Sequence, residues 1–256
     1  MGNSDVKTKI YRIGQIVPSS NVTMETEIPA MLQARQLLRP ERFCFHSSRM
    51  RMKAVSKDEL ASMDEQSDRC ALELSDARVD VIGYACLVAI MAMGRGYHRR
   101  SQERLHRCTA ANDAAAPVIT SAGALVDGLK VMGAKRIVLI APYVRALTDL
   151  VVDYIAAEGI EVMDHVALEI PNNLDVAAHD PARLPAIAAG LNYEDADAIV
   201  LSACVQMPSL PVVPQVEAMT GKPVLTAAIA TTYAMLRAMD LEAIAPGAGA
   251  LLSGAY

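Results

Sequence analysis

RIGQIVP at residues 12–18 recurs as RIVLIAP at residues 136–142, so the pattern Arg-Ile-x-x-Ile-x-Pro returns at an offset of 124 residues. Each copy is a short apolar run that ends in proline, as a buried strand followed by a turn often does. Later in each half, an apolar strand-like run ends in an alanine and a cysteine, Cys86 and Cys204, at an offset of 118 residues. The two matches keep the same order and similar spacing, which predicts two similar halves.

Strand-like and helix-like segments alternate along the chain. Runs with strand character lie at residues 10–17, 42–50, 79–85, 136–141, 160–170, 198–203 and 223–226, and runs with helical character at 24–38, 57–77, 122–132 and 147–158. Such alternation predicts βαβ units, and continuous apolar strands fit a sheet that is covered on both faces. We therefore expect an α/β fold of two pseudo-symmetric Rossmann-like halves. Each half is a mostly parallel sheet flanked by helices, and the ligand site lies in the cleft between the halves.

The repeat also predicts where the halves divide. Residues 1–120 form the half that carries Cys86, and a C-terminal helix at about residues 228–256 completes it. Residues 121–227 form the half that carries Cys204.

Composition excludes several classes of protein. The 256 residues are 52% hydrophobic, which suits one or two folded domains and argues against disorder. A net charge of −5 and 4% aromatic residues, with no Trp, argue against nucleic-acid binding. The longest apolar run, residues 81–94, is too short to cross a membrane, and no signal-peptide pattern is present, so we expect a cytoplasmic protein without a membrane partner. None of the five cysteines forms a CxxC pair, which argues against a disulfide framework or structural zinc.

Cys86 and Cys204 are the candidate reactive residues. In open parallel sheets, ligands bind outside the carboxyl ends of the strands, and both cysteines follow an apolar strand. Backbone N–H groups that open a following helix can bind an anion and lower a thiol pKa. Two thiols that flank one small ligand suit chemistry with an acid on one side and a nucleophile or base on the other. Cysteine is also a common small core residue, which is our interpretation of Cys44, Cys70 and Cys108.

The other motifs in the sequence are weaker indications of a functional site than the two cysteines. The histidines form no HxH or HExxH pattern, so we expect no metal; they are His46, His98, His106, His165 and His179. The basic segment at residues 95–107 predicts a solvated helix face or a surface that steers an anionic substrate. The chain has no complete GxGxxG, GxxxxGK[ST] or GxSxG motif, which argues against a dinucleotide site, a nucleotide loop and a hydrolase elbow.

Five segments together resemble one known family. They read IGQIVPSSNVTMETE at 13–27, YACLVA at 84–89, APY at 141–143, IPNN at 170–173 and SACVQMPS at 202–209. In these segments the chain is similar to the maleate cis–trans isomerases of the aspartate/glutamate racemase superfamily. The resemblance runs from about Arg12 to the last helix and implies two α/β halves with one cysteine from each. It also implies conversion of maleate to fumarate without a cofactor, through a succinyl-cysteine.

The resemblance also implies roles for individual residues. Cys86 is then the nucleophile and Cys204 the proton donor and acceptor. Side chains that bind the substrate carboxylates are then Asn21, Tyr143 and Asn173, and backbone N–H groups that do so are those of Leu87, Val88, Val205 and Gln206. The residues alone do not choose between the two cysteines. They also leave Asn21 open as a helix cap, Asn173 as a turn residue and Tyr143 as a packing residue.

Two other functions stay open on the sequence. The first is an amino-acid racemase or malonate-type decarboxylase that uses the same cysteines for proton transfer. The second is a carboxylate-binding protein without activity, in which both thiols are core residues. We expect a small dicarboxylate substrate, maleate or fumarate, as partner, no nucleic acid, and a homodimer.

Overall fold

The structure is a computed structural model, and it describes residues 9–53 and 56–256. Strands lie at Ile10–Pro18 (β1), Arg42–Met50 (β2), Val81–Tyr84 (β3), Val118–Thr120 (β4), Arg136–Ala141 (β5), Glu161–Ala167 (β6), Ala198–Ser202 (β7) and Val224–Thr226 (β8). Helices lie at Met24–Arg35 (α1), Lys57–Glu65 (α2), Ser67–Asp76 (α3), Leu87–Ala92 (α4), Tyr97–Ala111 (α5), Ser121–Val131 (α6), Arg145–Ala157 (α7), Asn173–Ala177 (α8), Leu184–Ala189 (α9), Val213–Thr220 (α10) and Ala227–Ala238 (α11).

The strands form two sheets with the same topology. The first has the order β2-β1-β3-β4 and the second the order β6-β5-β7-β8, and the paired strands in both are parallel. The repeated Arg-Ile-x-x-Ile-x-Pro pattern falls on β1 and β5, which hold the same place in their sheets. The prediction of an α/β fold with two similar, mostly parallel halves is therefore confirmed.

Burial explains why these segments are strands. Residues 137–141 of β5 are completely inaccessible to solvent, and all four residues of β3 are buried. Strands that are apolar at every position need cover on both faces, which the intervening helices supply. Short β4 and β8 each end in a threonine that caps the next helix. Thr120 Oγ1 accepts the N–H of Gly123, and Thr226 Oγ1 accepts that of Ile229, both at 3.1 Å.

Several segments differ in extent from the sequence predictions. The helix expected at 24–38 ends at Arg35. The helix expected at 57–77 is two helices, α2 and α3, that meet at Gln66. The strand expected to reach residue 170 ends at Ala167, shortly before Glu169 takes a left-handed conformation with φ of 54°. The C-terminal helix, expected to run to about 256, ends at Ala238; Asp240 has φ of 56°, and the residues beyond it include Pro246. A left-handed residue cannot continue an α-helix.

The last helix connects the two halves. Helix α11 packs against α1 and α6 and also contacts strands of both sheets. The division into domains at 1–120 and 121–227 stays a prediction. Across residues 9–53 and 56–256, every helix is too short or too polar to cross a membrane.

Candidate active site

Cys86 and Cys204 occupy equivalent positions. Cys86 is the second residue after β3, and Cys204 is the second residue after β7, so each lies at the carboxyl end of its sheet. Cys86 has extended backbone angles, φ of −120° and ψ of 135°, and starts helix α4. The two residues are 8% and 6% exposed. The strand ends thus place two nearly buried thiols in one region of the molecule.

The surroundings of Cys86 oppose its ionisation. Burial raises the pKa of the Cys86 thiol to about 12, and a charge on Cys204 adds to that increase. The backbone N–H groups of Val88 and Ala89 bond to the sulfur and act in the opposite direction. A charge on Cys204 therefore disfavours a charge on Cys86.

Cys204 has more hydrogen-bond donors around it. Burial raises the pKa of this thiol, whereas the Tyr143 hydroxyl and the N–H groups of Gln206 and Met207 lower it. The Gln206 N–H lies 3.3 Å from the Cys204 sulfur. These neutral donors favour negative charge at this position without supplying a cation.

Tyr143 is the second residue after β5 and lies close enough to both thiols for their charges to affect its pKa. Its hydroxyl oxygen is 3.0 Å from the carbonyl oxygen of Ala203, to which it donates, and it also bonds to the sulfur of Cys204. Burial raises the pKa of Tyr143 well above its usual range, and the charges of Cys204 and Cys86 raise it further. Tyr143 is therefore a neutral phenol that can rotate its proton toward the carbonyl, the thiol or a ligand.

The oxygen of the Asn21 side chain bonds to the start of α1, and its NH₂ group is left free by the described residues. Its side-chain oxygen accepts the backbone N–H groups of Thr23 and Met24, both at 3.0 Å, at the start of α1. The N-cap residue of α1 is Thr23, whose own side chain makes no capping bond; the Asn21 oxygen satisfies these two N–H groups from two residues before it. Within the described part of the chain the NH₂ group of Asn21 bonds to no acceptor, so that group is available to a ligand.

Asn173 connects the two halves. It is the first residue of α8, is 6% exposed, and its side-chain N–H donates to Ser20 Oγ at 2.8 Å. Ser20 lies next to Asn21 in the loop after β1, 153 positions from Asn173. The two asparagines predicted to bind carboxylates are thus brought to the same loop cluster.

Two side chains at this site were not predicted from the sequence. The amide of Gln206 bonds to Ser20, Val22 and Asn173, although only its backbone was expected to act. The buried carboxyl of Glu27 accepts the N–H groups of Ser209 and Leu210, and its charge contributes to the raised pKa of Cys204. Both residues lie in the segments that resemble the isomerases, but only the tertiary fold shows what their side chains contact.

The other candidate groups lie outside this cluster or are already paired. In the part of the chain that the structure describes, no three His, Cys, Asp or Glu residues are grouped to hold a metal ion. Three arginines of the basic segment form ion pairs, Arg99 with Glu158, Arg104 with Asp64 and Arg107 with Glu103. Their pairing favours the interpretation of this segment as a helix face.

Two like α/β halves, each with a cysteine two residues beyond an equivalent strand, define a class of paired-cysteine proteins. A family model described as arylmalonate decarboxylase matches residues 13–252. A Pseudomonas putida protein named maleate isomerase is 74% identical over 249 residues, which cover 97% of this chain and 100% of that relative. The chain therefore belongs, within that class, to the maleate isomerase family.

Solved structures agree with this assignment. The crystal structure of a maleate isomerase variant from another Pseudomonas putida strain, with maleate, has a TM-score of 0.96 at 67% identity, covering 97% of this chain and 99% of that chain. A Nocardia farcinica maleate cis–trans isomerase mutant, with a covalently bound succinylcysteine intermediate, has a TM-score of 0.92 at 47% identity. It covers 95% of this chain and 98% of that chain.

Proposed function

We propose that this chain isomerises maleate to fumarate without a cofactor, with Cys86 as the nucleophile and Cys204 as the proton donor and acceptor. One observation carries the proposal. In a chain of the maleate isomerase family, the two thiols lie at equivalent strand ends and interact across one buried site that includes Tyr143. The double bond of maleate blocks rotation, so isomerisation needs a step that turns it into a single bond.

Addition of a thiolate supplies that step. The Cys86 sulfur forms a bond to one alkene carbon, and the π electrons move to the neighbouring carbon, which takes the proton of the Cys204 thiol. The products are a succinyl group on Cys86 and a thiolate on Cys204. The step begins with Cys86 as the thiolate and Cys204 as the thiol, because the thiolate is the nucleophile and the thiol holds the proton.

Release reverses these events after rotation. The new carbon–carbon single bond turns until the carboxylates are trans. The Cys204 thiolate then removes the proton, the double bond forms again, and the carbon–sulfur bond breaks to return the Cys86 thiolate. No electrons are gained or lost overall, so the chemistry requires no redox cofactor.

Neutral donors suit the substrate dianion. We propose that the carboxylates bind the side chains of Asn21, Tyr143 and Asn173 and the backbone N–H groups of Leu87, Val88, Val205 and Gln206. Those of Val88 and Gln206 also donate to the sulfurs of Cys86 and Cys204. Attack builds charge beside a carboxylate, and donors fixed before the reaction stabilise it at little reorganisation cost. The low exposure of the site residues strengthens each of these bonds by excluding water.

The alternatives have less support. A racemase or decarboxylase would use the same thiols for proton transfer, but relatives at 47–74% identity are named maleate isomerases. A carboxylate-binding protein without activity would not need a thiol pair with donors aimed at each sulfur.

Proton NMR of the purified protein with maleate is the direct test. The protein is freed of metals, kept reduced and mixed with maleate alone. We expect a fumarate signal that grows with protein concentration and is absent with Cys86→Ser. A folded protein that gives no fumarate would refute the proposal, and incorporation of solvent deuterium into an amino or malonic acid would then favour the racemase or decarboxylase.

We also propose that the protein is a cytoplasmic homodimer. The edge strand β2 carries half-exposed Phe43 and Phe45, and the edge strand β6 carries half-exposed Val162 and Val166. Apolar residues on unpaired edge strands favour cover by a second copy. Sedimentation equilibrium tests this, and a monomer at micromolar concentration would contradict it.

A further inference from the structure

The side-chain amide of Gln206 is completely used in hydrogen bonds. Its NH₂ group donates to the carbonyl oxygens of Ser20 and Asn173, both at 2.9 Å, and its oxygen accepts the N–H of Val22 at 2.9 Å. Gln206 is only 2% exposed. Because two donors face two carbonyls and the acceptor faces an N–H, only one orientation of the amide satisfies all three contacts.

These contacts join the loops that carry the proposed substrate-binding groups. Ser20 and Val22 flank Asn21 in the loop after β1, and Asn173 lies on the other half of the molecule. The backbone N–H of Gln206 itself bonds to the sulfur of Cys204. The residue therefore connects Cys204 to Asn173 and to the loop after β1, where Val22 and Ser20 lie 184 and 186 positions away in the sequence.

The loop after β1 is held differently on its other side. Ser19 bonds to the backbone of Met50 and Met52, and the Arg49 guanidinium donates to the carbonyl oxygen of Asn21. All of these partners belong to the first half of the chain. They fix the loop to its own sheet but do not fix it relative to Cys204, whereas Gln206 does.

We propose that the Gln206 side chain is a positioning residue for the isomerisation: it holds Asn21 and Asn173 in place relative to Cys204. This inference rests on the proposed function. A misplacement of about 1 Å in a catalytic group can cost about 100-fold in rate, so losing this connection reduces turnover even when the fold survives.

Replacement of Gln206 by glutamate should produce a loss of activity that depends on pH. A carboxylate at 206 keeps an acceptor for Val22 but presents its other oxygen to the carbonyls of Ser20 and Asn173, which repel it. Protonation turns that oxygen into a donor and restores one of the two lost bonds. Other ionisable groups around this cluster are Cys204, Tyr143, Glu27, Arg49 and Glu25. All of them are also present in Gln206→Met, so a pH dependence that appears in Gln206→Glu and is absent from Gln206→Met comes from the carboxylate at 206.

The experiment compares kcat/KM for maleate in Gln206→Glu, Gln206→Met and Gln102→Glu with the wild type, from about pH 8.5 to about pH 5.5. Gln102 is the matched control, because its amide donates to the Val118 carbonyl at 3.1 Å in a contact between α5 and β4. We expect Gln206→Glu to be about 10- to 100-fold less active than the wild type at the alkaline end and to recover at least about tenfold toward the acid end. Gln206→Met, which has no group to titrate, should show a similar loss that is constant with pH, and Gln102→Glu should stay within about twofold.

Circular dichroism and thermal melting check that each variant is folded. Wild-type activity at both Gln206 variants, or a loss in Gln206→Glu that does not change with pH, would overturn the inference. If Gln206→Glu does not fold, Gln206→Met decides alone, since a folded and fully active methionine variant excludes a positioning role. A wild type that is inert toward maleate would instead refute the proposed function, so the two failures are distinguishable.

Discussion

The carboxyl group of Glu27 accepts the backbone N–H of Ser209 at 2.6 Å, although 182 positions separate the two residues. The same oxygen, Oε1, also accepts the N–H of Leu210 at 2.7 Å. Glu27 lies on α1 in the first half, and the two N–H groups lie in the loop that follows Cys204. A buried acid thus connects the first helix to the loop of the second thiol. Both bonds use one oxygen, so the other oxygen can hold a proton without breaking either.

This geometry predicts different effects for two substitutions of Glu27. Glu27→Gln keeps an oxygen for both N–H groups, whereas Glu27→Ala leaves both groups buried without a partner. We expect the alanine variant to lower the free energy of unfolding by about 2–5 kcal/mol and the glutamine variant to stay within about 1 kcal/mol of the wild type in acid. Urea unfolding measures both. Equal losses in the two variants would show that these hydrogen bonds do not stabilise the fold.

The stability of the wild type should depend on pH through the same carboxyl. Burial raises the pKa of Glu27 above its ordinary value of 4.5, and the two N–H groups offset part of that increase. A raised carboxyl pKa means that the folded state holds its proton more tightly than the unfolded state. The resulting stabilisation is complete below pH 4.5 and is lost as the pH rises through the folded-state pKa. Relative to the wild type, Glu27→Gln should therefore become more stable as the pH rises, and a constant difference across this range would contradict the assignment.

The roles of the two thiols predict where a covalent adduct forms. With Cys204→Ser, the proton donor is replaced by a weaker acid, so both formation and breakdown of the adduct become slow. We expect mass spectrometry after exposure to maleate to find one added maleic acid on Cys86. Cys86→Ser should give no adduct and no turnover, because serine is a poor nucleophile at neutral pH. Cys108 lies on α5, is partly buried and is not among the proposed site residues, so Cys108→Ser is the control and should retain activity. An adduct on Cys204 alone would reverse the two roles.

The symmetry of the fold explains how far the sequence could predict this site. Ile137 and its neighbours in β5 form a continuous apolar run, and such runs identified the central strands and the cysteines at their ends. The short β4, of three residues, has too few positions for a pattern. The halves are so alike that local sequence could not distinguish Cys86 from Cys204, and the structure shows the difference: Tyr143 bonds to the sulfur of Cys204.

Long-range contacts account for the side chains that the sequence did not indicate. Gln206 and Glu27 act on partners more than 180 positions away, and no periodicity or spacing reports such contacts. Asn21 shows the opposite case, because its side-chain oxygen accepts N–H groups only two and three positions away, at the start of α1. The local interpretation and the proposed functional one therefore apply to different atoms of the same amide.

Tyr143→Phe should affect Cys204 as well as the substrate. The hydroxyl lowers the pKa of the Cys204 thiol, so its removal should raise that pKa and slow alkylation of Cys204 at a given pH. It also removes one donor from the proposed carboxylate site, and loss of a single such donor typically costs about 100-fold or more in kcat. Tyr193→Phe, which changes a tyrosine of the second half outside the site, is a suitable control. Unchanged alkylation of Cys204 together with unchanged turnover would exclude both roles of the hydroxyl.

Asp64 connects α2 to the end of β3 and to α5. Its buried carboxylate accepts the hydroxyl of Tyr84 at 2.7 Å, the hydroxyl of Tyr97 at 2.6 Å and the guanidinium of Arg104 at 3.0 Å. Tyr84 is the last residue of β3, two residues before Cys86. Arg104 is partly exposed and keeps Asp68 as a partner, so the main effect of Asp64→Asn is on the hydrogen bonds of the buried carboxylate, and it should lower the free energy of unfolding by about 1–3 kcal/mol.

Asp68, the other acidic partner of Arg104, provides the control for that prediction. Asp68, whose side chain is 48% exposed, lies 3.2 Å from the Arg104 guanidinium, and an exposed pair of this kind contributes about 1 kcal/mol or less. Burial raises the pKa of Tyr97 to about 12, and its hydrogen bond to Asp64 adds to the increase. Spectrophotometric titration of Asp64→Asn should therefore show Tyr97 ionising at a lower pH than in the wild type, whereas Asp68→Asn should leave that titration in place. If both variants lose the same stability and titrate alike, the buried carboxylate does not organise this region, and the support for β3 and Cys86 comes from apolar packing alone.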